Sequence, residues 1–173
     1  MKSSILLSSL FILLSSFSWG QSELGAEYEH AFGKKYSSNS VGALFEGFSN
    51  TGKNSWQVGL HYRVDIFGNK TSHVSGSNSL GVSLGYRHGF SYGSSGNLLF
   101  GVRTSFTFIT SSLIEFTPTA EFGYHFTYNH FGKGLYTTPS VALGYNLVLD
   151  KDEEEDYYKG MLLIPRVATG YRF

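Results

Sequence analysis

Trp56-Gln57-Val58-Gly59-Leu60-His61-Tyr62-Arg63-Val64-Asp65-Ile66 alternates without a break, large apolar or aromatic side chains at the even positions and polar or small ones at the odd. In an extended strand successive side chains point to opposite sides, so this run is a strand with one greasy and one polar face. The same pattern recurs on both sides of it. Leu80, Val82, Leu84 and Tyr86 alternate with Gly81, Ser83, Gly85 and Arg87; Leu98, Phe100, Val102, Phe106 and Phe108 with Gly101, Arg103, Ser105 and Thr107. Further on, Ile114, Phe116, Ala120, Phe122, Tyr124, Phe126 and Tyr128 oppose Glu115, Thr117, Glu121, Gly123 and His125. Val141 to Leu149 and Met161 to Phe173 repeat the pattern, the latter setting Arg166, Ala168, Gly170 and Arg172 against Val167, Tyr171 and Phe173. Before the central run, Leu24, Ala26, Tyr28 and Phe32 alternate with Gly25, Glu27 and Glu29, and Val41, Ala43 and Phe45 with Gly42, Leu44 and Glu46. The total is eight strands. The breaks between them carry turn chemistry: 33–40, 50–54, 68–78, 93–97, 110–112, 129–134 and 150–160.

The placement of charge decides what the two faces meet. All five arginines, Arg63, Arg87, Arg103, Arg166 and Arg172, fall on the polar face, with Glu27, Glu29, Glu46, Asp65, Glu115 and Glu121. The lysines after Lys2 fall in or beside turns. The greasy face has none of these residues, and His30 and His88 are its titratable exceptions besides tyrosine. A water-soluble barrel needs the reverse arrangement, an apolar inside and a charged outside. An ionised side chain facing lipid costs about 2–4 kcal/mol at mid-bilayer, and only a closed antiparallel barrel lets strands satisfy every backbone group there. The pattern therefore predicts an all-β, eight-stranded, antiparallel up-and-down transmembrane barrel, each strand long enough to cross at a tilt. Trp56, Tyr92, Phe100, Tyr128, Tyr136 and Phe173 are expected in an aromatic girdle near the periplasmic strand ends. Pro118, Pro139 and Pro165 are expected near the membrane rims, where a missing ladder donor matters least.

Composition agrees. Of 173 residues 17% are aromatic and only 15% charged, with 21 glycines and no cysteine, whereas a soluble domain carries roughly 25% charge. Thirteen basic and thirteen acidic residues cancel, which excludes a nucleic-acid binder working through bulk positive charge. The absence of cysteine removes disulfides, thiolate nucleophiles and zinc–thiolate sites. Residues 1–20 read as a cleavable export signal: Lys2, a short apolar stretch from Ile5, then Ser18-Trp19-Gly20 before the cut. Residues 21–173 then form one barrel domain.

An eight-stranded barrel has an interior that side chains just fill. The inward arginines and carboxylates are expected to form a paired polar filling, the alternative being a narrow conduit for small solutes. His61, His125, Glu121 and Ser105 share that face, so a Ser/His/Glu hydrolase can be drawn, but no nucleophile motif surrounds any serine and the expectation is a satisfied interior. His88 falls late in its strand and suits interfacial anchoring; His30 lies near the outer rim beside Phe32. In the acidic run 150–156, Asp150, Asp152 and Glu154 are the weak candidates for a divalent cation, although Glu155 stands where a calcium loop wants glycine. No cofactor motif is present.

The last strand, Arg166-Val167-Ala168-Thr169-Gly170-Tyr171-Arg172-Phe173, resembles the terminal strand of bacterial outer-membrane proteins, with Phe173 last and Tyr171 two before it; Ala168 replaces the family's glycine. With the export signal and eight strands, the chain resembles small outer-membrane barrels of the OmpA-barrel/OmpX type. That resemblance implies a Gram-negative outer membrane, lipopolysaccharide and lipid as neighbours, and insertion by the barrel-assembly machinery reading Tyr171 and Phe173. A monomeric, non-enzymatic barrel serving envelope integrity or surface contact is the expectation. A lipid A deacylase or acyltransferase is the enzymatic alternative, though the deacylase's His-x-Ser-Asn stretch is not in the sequence.

Overall fold

The structure is a computed structural model and describes residues 21–34, 36–49, 51–67, 78–90, 96–109, 114–130, 133–149 and 159–173. Eight strands follow one another: β1 (Gln21–Gly33), β2 (Tyr36–Phe48), β3 (Asn54–Phe67), β4 (Asn78–Gly89), β5 (Gly96–Phe108), β6 (Ile114–His130), β7 (Lys133–Leu149) and β8 (Gly160–Arg172). Each pairs antiparallel with its sequence neighbours, and β8 returns to pair with β1, so the sheet closes on itself. Closure leaves no edge strand with unpaired backbone groups. Beyond the last ladder pair the seam continues, with Phe173 N donating to Ser22 O at 3.0 Å.

The alternation read from the sequence is the alternation of burial. In β4 the pattern over Ser79 to Arg87 is buried at every odd position and open at the even ones. The polar set points into the lumen. On the outside Leu24, Val41, Leu60, Leu80, Val102, Phe122, Leu143 and Leu163, one per strand, are between 46% and 58% exposed. The connection after β2 is a tight turn: Gly52 takes φ 67°, which L side chains avoid, and its N–H donates to Ser49 O at 2.7 Å.

Three details correct the sequence reading. The first hairpin is far tighter than 33–40, since β2 already starts at Tyr36 and Ser37, Asn39 and their neighbours are strand. Tyr136 does not join an outer girdle; it is inward and only 1% exposed, and Leu135 takes the outward place. Its phase follows from Ser140 and Ala142, which are inward at even numbers of the same strand. Tyr92 lies outside the described residues. The prolines lie within their strands, not at the rims. Pairing between β6 and β7 skips from Phe116↔Leu147 to Thr119↔Gly144 around Pro118, and from Gly123↔Ser140 to Phe126↔Thr137 around Pro139. Between β1 and β8 it skips from Glu29↔Arg166 to Phe32↔Leu163 around Pro165. Each proline lacks the N–H that would face the interrupted ladder and keeps its pairing on the other side.

Candidate functional site

The lumen is organised around Glu121 on β6. Its Oε1 accepts from Arg87 of β4 at 2.5 Å, and its Oε2 from Arg166 of β8 at 3.1 Å, with Arg103 of β5 at 3.8 Å. Each arginine also holds a carboxylate of its own. Arg87 reaches Glu46 at 2.9 Å, Arg166 reaches Glu29 at 2.8 Å, and Arg103 grips Glu27 with both terminal nitrogens. Gln57 ties two spokes together, donating to Glu46 at 2.9 Å and accepting from Arg103 at 3.2 Å. The result is one hub carboxylate, three guanidinium groups and three outer carboxylates. Ions buried this deeply survive only when paired and hydrogen-bonded.

Two further layers close the ends. Toward the chain termini, Glu23 accepts from Arg172 at 2.5 Å, and Arg172 lies 4.8 Å from the Phe48 ring centroid. Arg172 also meets His125 Nε2 at 2.8 Å, the same nitrogen lies 3.1 Å from Glu23 Oε1, and Nδ1 faces Thr138 Oγ1 at 2.7 Å. Toward the other end, Arg63 pairs with Glu115, His61 Nε2 meets Thr107 Oγ1 at 3.2 Å, and Ala142, Leu162 and Ile164 pack together beside Ala31. A lumen cavity bounded by Glu29, His61, Arg63, Glu115 and Arg166 measures about 30 Å³, room for about one water.

The structure thus brings together Glu27, Glu29, Glu46, Arg87, Arg103, Glu121 and Arg166 in one network, and places Arg63 with Glu115, and Arg172, in separate layers. Asp65 falls in β3, but its side chain lies outside the described residues. Glu23 was missed by sequence reasoning although it shares the odd-numbered parity of Glu27 and Glu29; it is fully buried. Tyr171 and Phe173 face outward, about half exposed. Asp150, Asp152 and Glu154 lie outside the described residues, and among those described no cluster of three metal-ligating groups occurs.

Among the described residues no hydrolytic triad forms in the lumen. Glu121 is committed to arginines, and His61 and His125 bond to different threonines. Replacing Ser105 by Ala should leave unfolding stability within about 0.5–1 kcal/mol of the parent; a larger loss in a urea titration would reveal a role this geometry does not give it. On the outward face, His88 Nδ1 meets Asn54 Oδ1 at 2.6 Å, and His30 sits between Asn39 and Ser37. No protein-family model matches this chain, and no curated protein does.

Proposed function

We propose that this chain is a small outer-membrane β-barrel, similar to the OmpA-barrel/OmpX type, whose sealed, ion-paired body stiffens the envelope and carries its loops as a contact surface. The observation behind this reading is the inversion of polarity. Every strand turns large apolar side chains outward, and among the described residues no Asp, Glu or Arg lies on that face. A water-soluble monomer rarely exposes apolar patches beyond a few hundred Å², whereas a bilayer requires such a belt. The strand ends joined by the two ten-residue-scale connections, Phe67 with Asn78 and Leu149 with Gly160, are at the end away from the termini, and longer loops belong on the extracellular side. Lipopolysaccharide and lipid are then the neighbours of the belt, and Tyr171 and Phe173 are the groups offered to the assembly machinery. The filled lumen favours a plug over a conduit.

The test is refolding of residues 21–173 into lipid vesicles, followed by gel migration in SDS before and after boiling. A compact band that shifts on boiling is expected; a chain that stays monomeric and folded in buffer without lipid or detergent overturns the reading. Leu84→Arg, in mid-β4, should cost about 2–4 kcal/mol in vesicles, measured as a lowered urea midpoint. A cost near zero would mean that Leu84 faces water.

A further inference from the structure

At the end of the barrel away from the termini, β7, β8 and β1 lie side by side, with Leu163 opposite Leu143 on one side and Phe32 on the other. A groove of about 620 Å³ runs across their outward face, within the range of ordinary ligand sites. Phe32, Leu143, Met161 and Leu163 form its apolar floor, and they are between 46% and 60% exposed, so the described chain leaves the floor open. Lys34 and Lys159 line the outer end of the groove, and both are exposed. Lys34 comes two residues after Phe32 and Lys159 two before Met161. Both therefore continue the outward parity just past the ends of β1 and β8. A lysine at a membrane boundary lays its methylenes along apolar surface and holds its ammonium at headgroup level. Among the described residues no Asp or Glu lines the groove.

Phe32 joins this groove to a neutral polar patch on β1 and β2. Its ring packs edge-on to the His30 imidazole at 4.0 Å between centroids. His30 and Asn39 are direct cross-strand partners, as are Phe32 and Ser37. His30 Nδ1 lies 2.5 Å from Asn39 Oδ1 and Nε2 lies 3.2 Å from Ser37 Oγ, while the Tyr28 hydroxyl donates to the same Asn39 oxygen at 2.7 Å. Rings with polar tips belong where hydrocarbon gives way to headgroups.

Three chemistries meet at this rim: hydrocarbon contact below, two ammonium groups at the surface and neutral hydrogen-bonding groups alongside. A soluble anion would use only the lysines, and a neutral lipid only the floor. An anionic glycerophospholipid would use both, but it brings one phosphate and few hydroxyls. An acylated, phosphorylated sugar uses all three, with a chain on the floor, phosphate at the lysines and ring hydroxyls toward the patch. We infer that the groove across β7, β8 and β1 is a binding site for one molecule of lipopolysaccharide, held by an acyl chain and its phosphate groups. The inference deepens the outer-membrane reading proposed above and rests on it, because that reading sets this rim in the outer leaflet. The lipid is then a fixed neighbour of the barrel and not one of a passing shell. Nothing covalent happens to it.

The experiment refolds residues 21–173 in neutral detergent micelles and titrates in rough lipopolysaccharide, phosphatidylglycerol or phosphatidylcholine, counting the lipid retained by native mass spectrometry. One lipopolysaccharide per barrel is expected, bound more tightly than either phospholipid. Lys34→Ala and Lys159→Ala should each weaken it about 5-fold, and Lys34→Arg and Lys159→Arg should keep it. All four variants should retain the boiling-sensitive compact band, since both lysines lie outside the strands. Lys53→Ala and Lys133→Ala, at the opposite end of the barrel, should leave retention unchanged. Equal losses from the two pairs of lysines overturn the site, and phosphatidylglycerol held as tightly as lipopolysaccharide overturns the choice of occupant. A parent that inserts into vesicles but retains no lipopolysaccharide overturns the site and leaves the membrane reading standing. Failure to insert into vesicles overturns both.

Discussion

Glu121→Ala should destabilise the barrel by about 3–5 kcal/mol, seen as a fall in the urea midpoint of the vesicle-inserted protein. The reason is the geometry of the hub. Glu121 is 1% exposed and is the single group shared by Arg87, Arg103 and Arg166. Removing it leaves three guanidinium groups converging on one point, each still held by its own carboxylate but repelling the others across a site that water barely reaches. Glu121→Gln keeps the volume and one acceptor oxygen, so it should lose less than Ala.

Glu115 supplies the internal comparison. It is equally buried but bonds one arginine, Arg63, and lies at the edge of the lumen cavity. Glu115→Ala should therefore cost measurably less than Glu121→Ala, since a partner near a cavity can take up water. Equal losses would mean that the interior pairs act independently and that the hub is a drawing convenience. The same pair of variants tests the plug. Across planar bilayers the parent should show no stable openings, and Glu121→Ala, which removes the central cross-link between β4, β5, β6 and β8, is the variant expected to show them. Stable openings of defined size in the parent would favour the conduit instead.

The eight strands were legible because a two-sided wall imposes period two on the chain, and Trp56 to Ile66 displays it without interruption. The network was legible as membership but not as architecture. Parity puts Arg87, Arg103 and Arg166 on the same face as Glu121, yet only the closing of β8 onto β1 brings Arg166 to Glu29. Leu162 and Ile164 escaped because Met161-Leu162-Leu163-Ile164 is apolar throughout and shows no alternation. Ser37 to Ser40 read as a loop because serine and asparagine bond to their own backbone in turns. In the barrel the ladder to Phe32, Ala31, His30 and Glu29 outweighs that preference. The outward Ser37–His30–Asn39 constellation was hidden by that reading, although His30 on a greasy face was the signal that pointed to it.

Gly25→Val should damage the wall of the barrel severely, with a loss of about 3 kcal/mol or more and little compact band after refolding. Gly25 and Gly170 are cross-strand partners at the seam where β1 meets β8, and Tyr136 is the next partner along, opposite Gly170. With no side chains on the two glycines, the Tyr136 ring is accommodated over the seam, buried with Leu44 and Ala168. A Cβ at Gly25 would lie 2.3 Å from the Tyr136 hydroxyl oxygen and 2.4 Å from Thr169 O. The first contact is with the tip of a side chain, the second with a backbone carbonyl held in the sheet. These causes separate cleanly. Tyr136→Phe removes a hydroxyl that has no hydrogen-bond partner among the described residues, so alone it should be neutral or stabilising, while Tyr136→Ala should cost about 3–5 kcal/mol by opening a cavity. Combined with Gly25→Val, Tyr136→Phe should restore little, because Thr169 O is still in the way. Full rescue by the phenylalanine would show that the ring tip, and not the closeness of the two backbones, is what reserves position 25 for glycine.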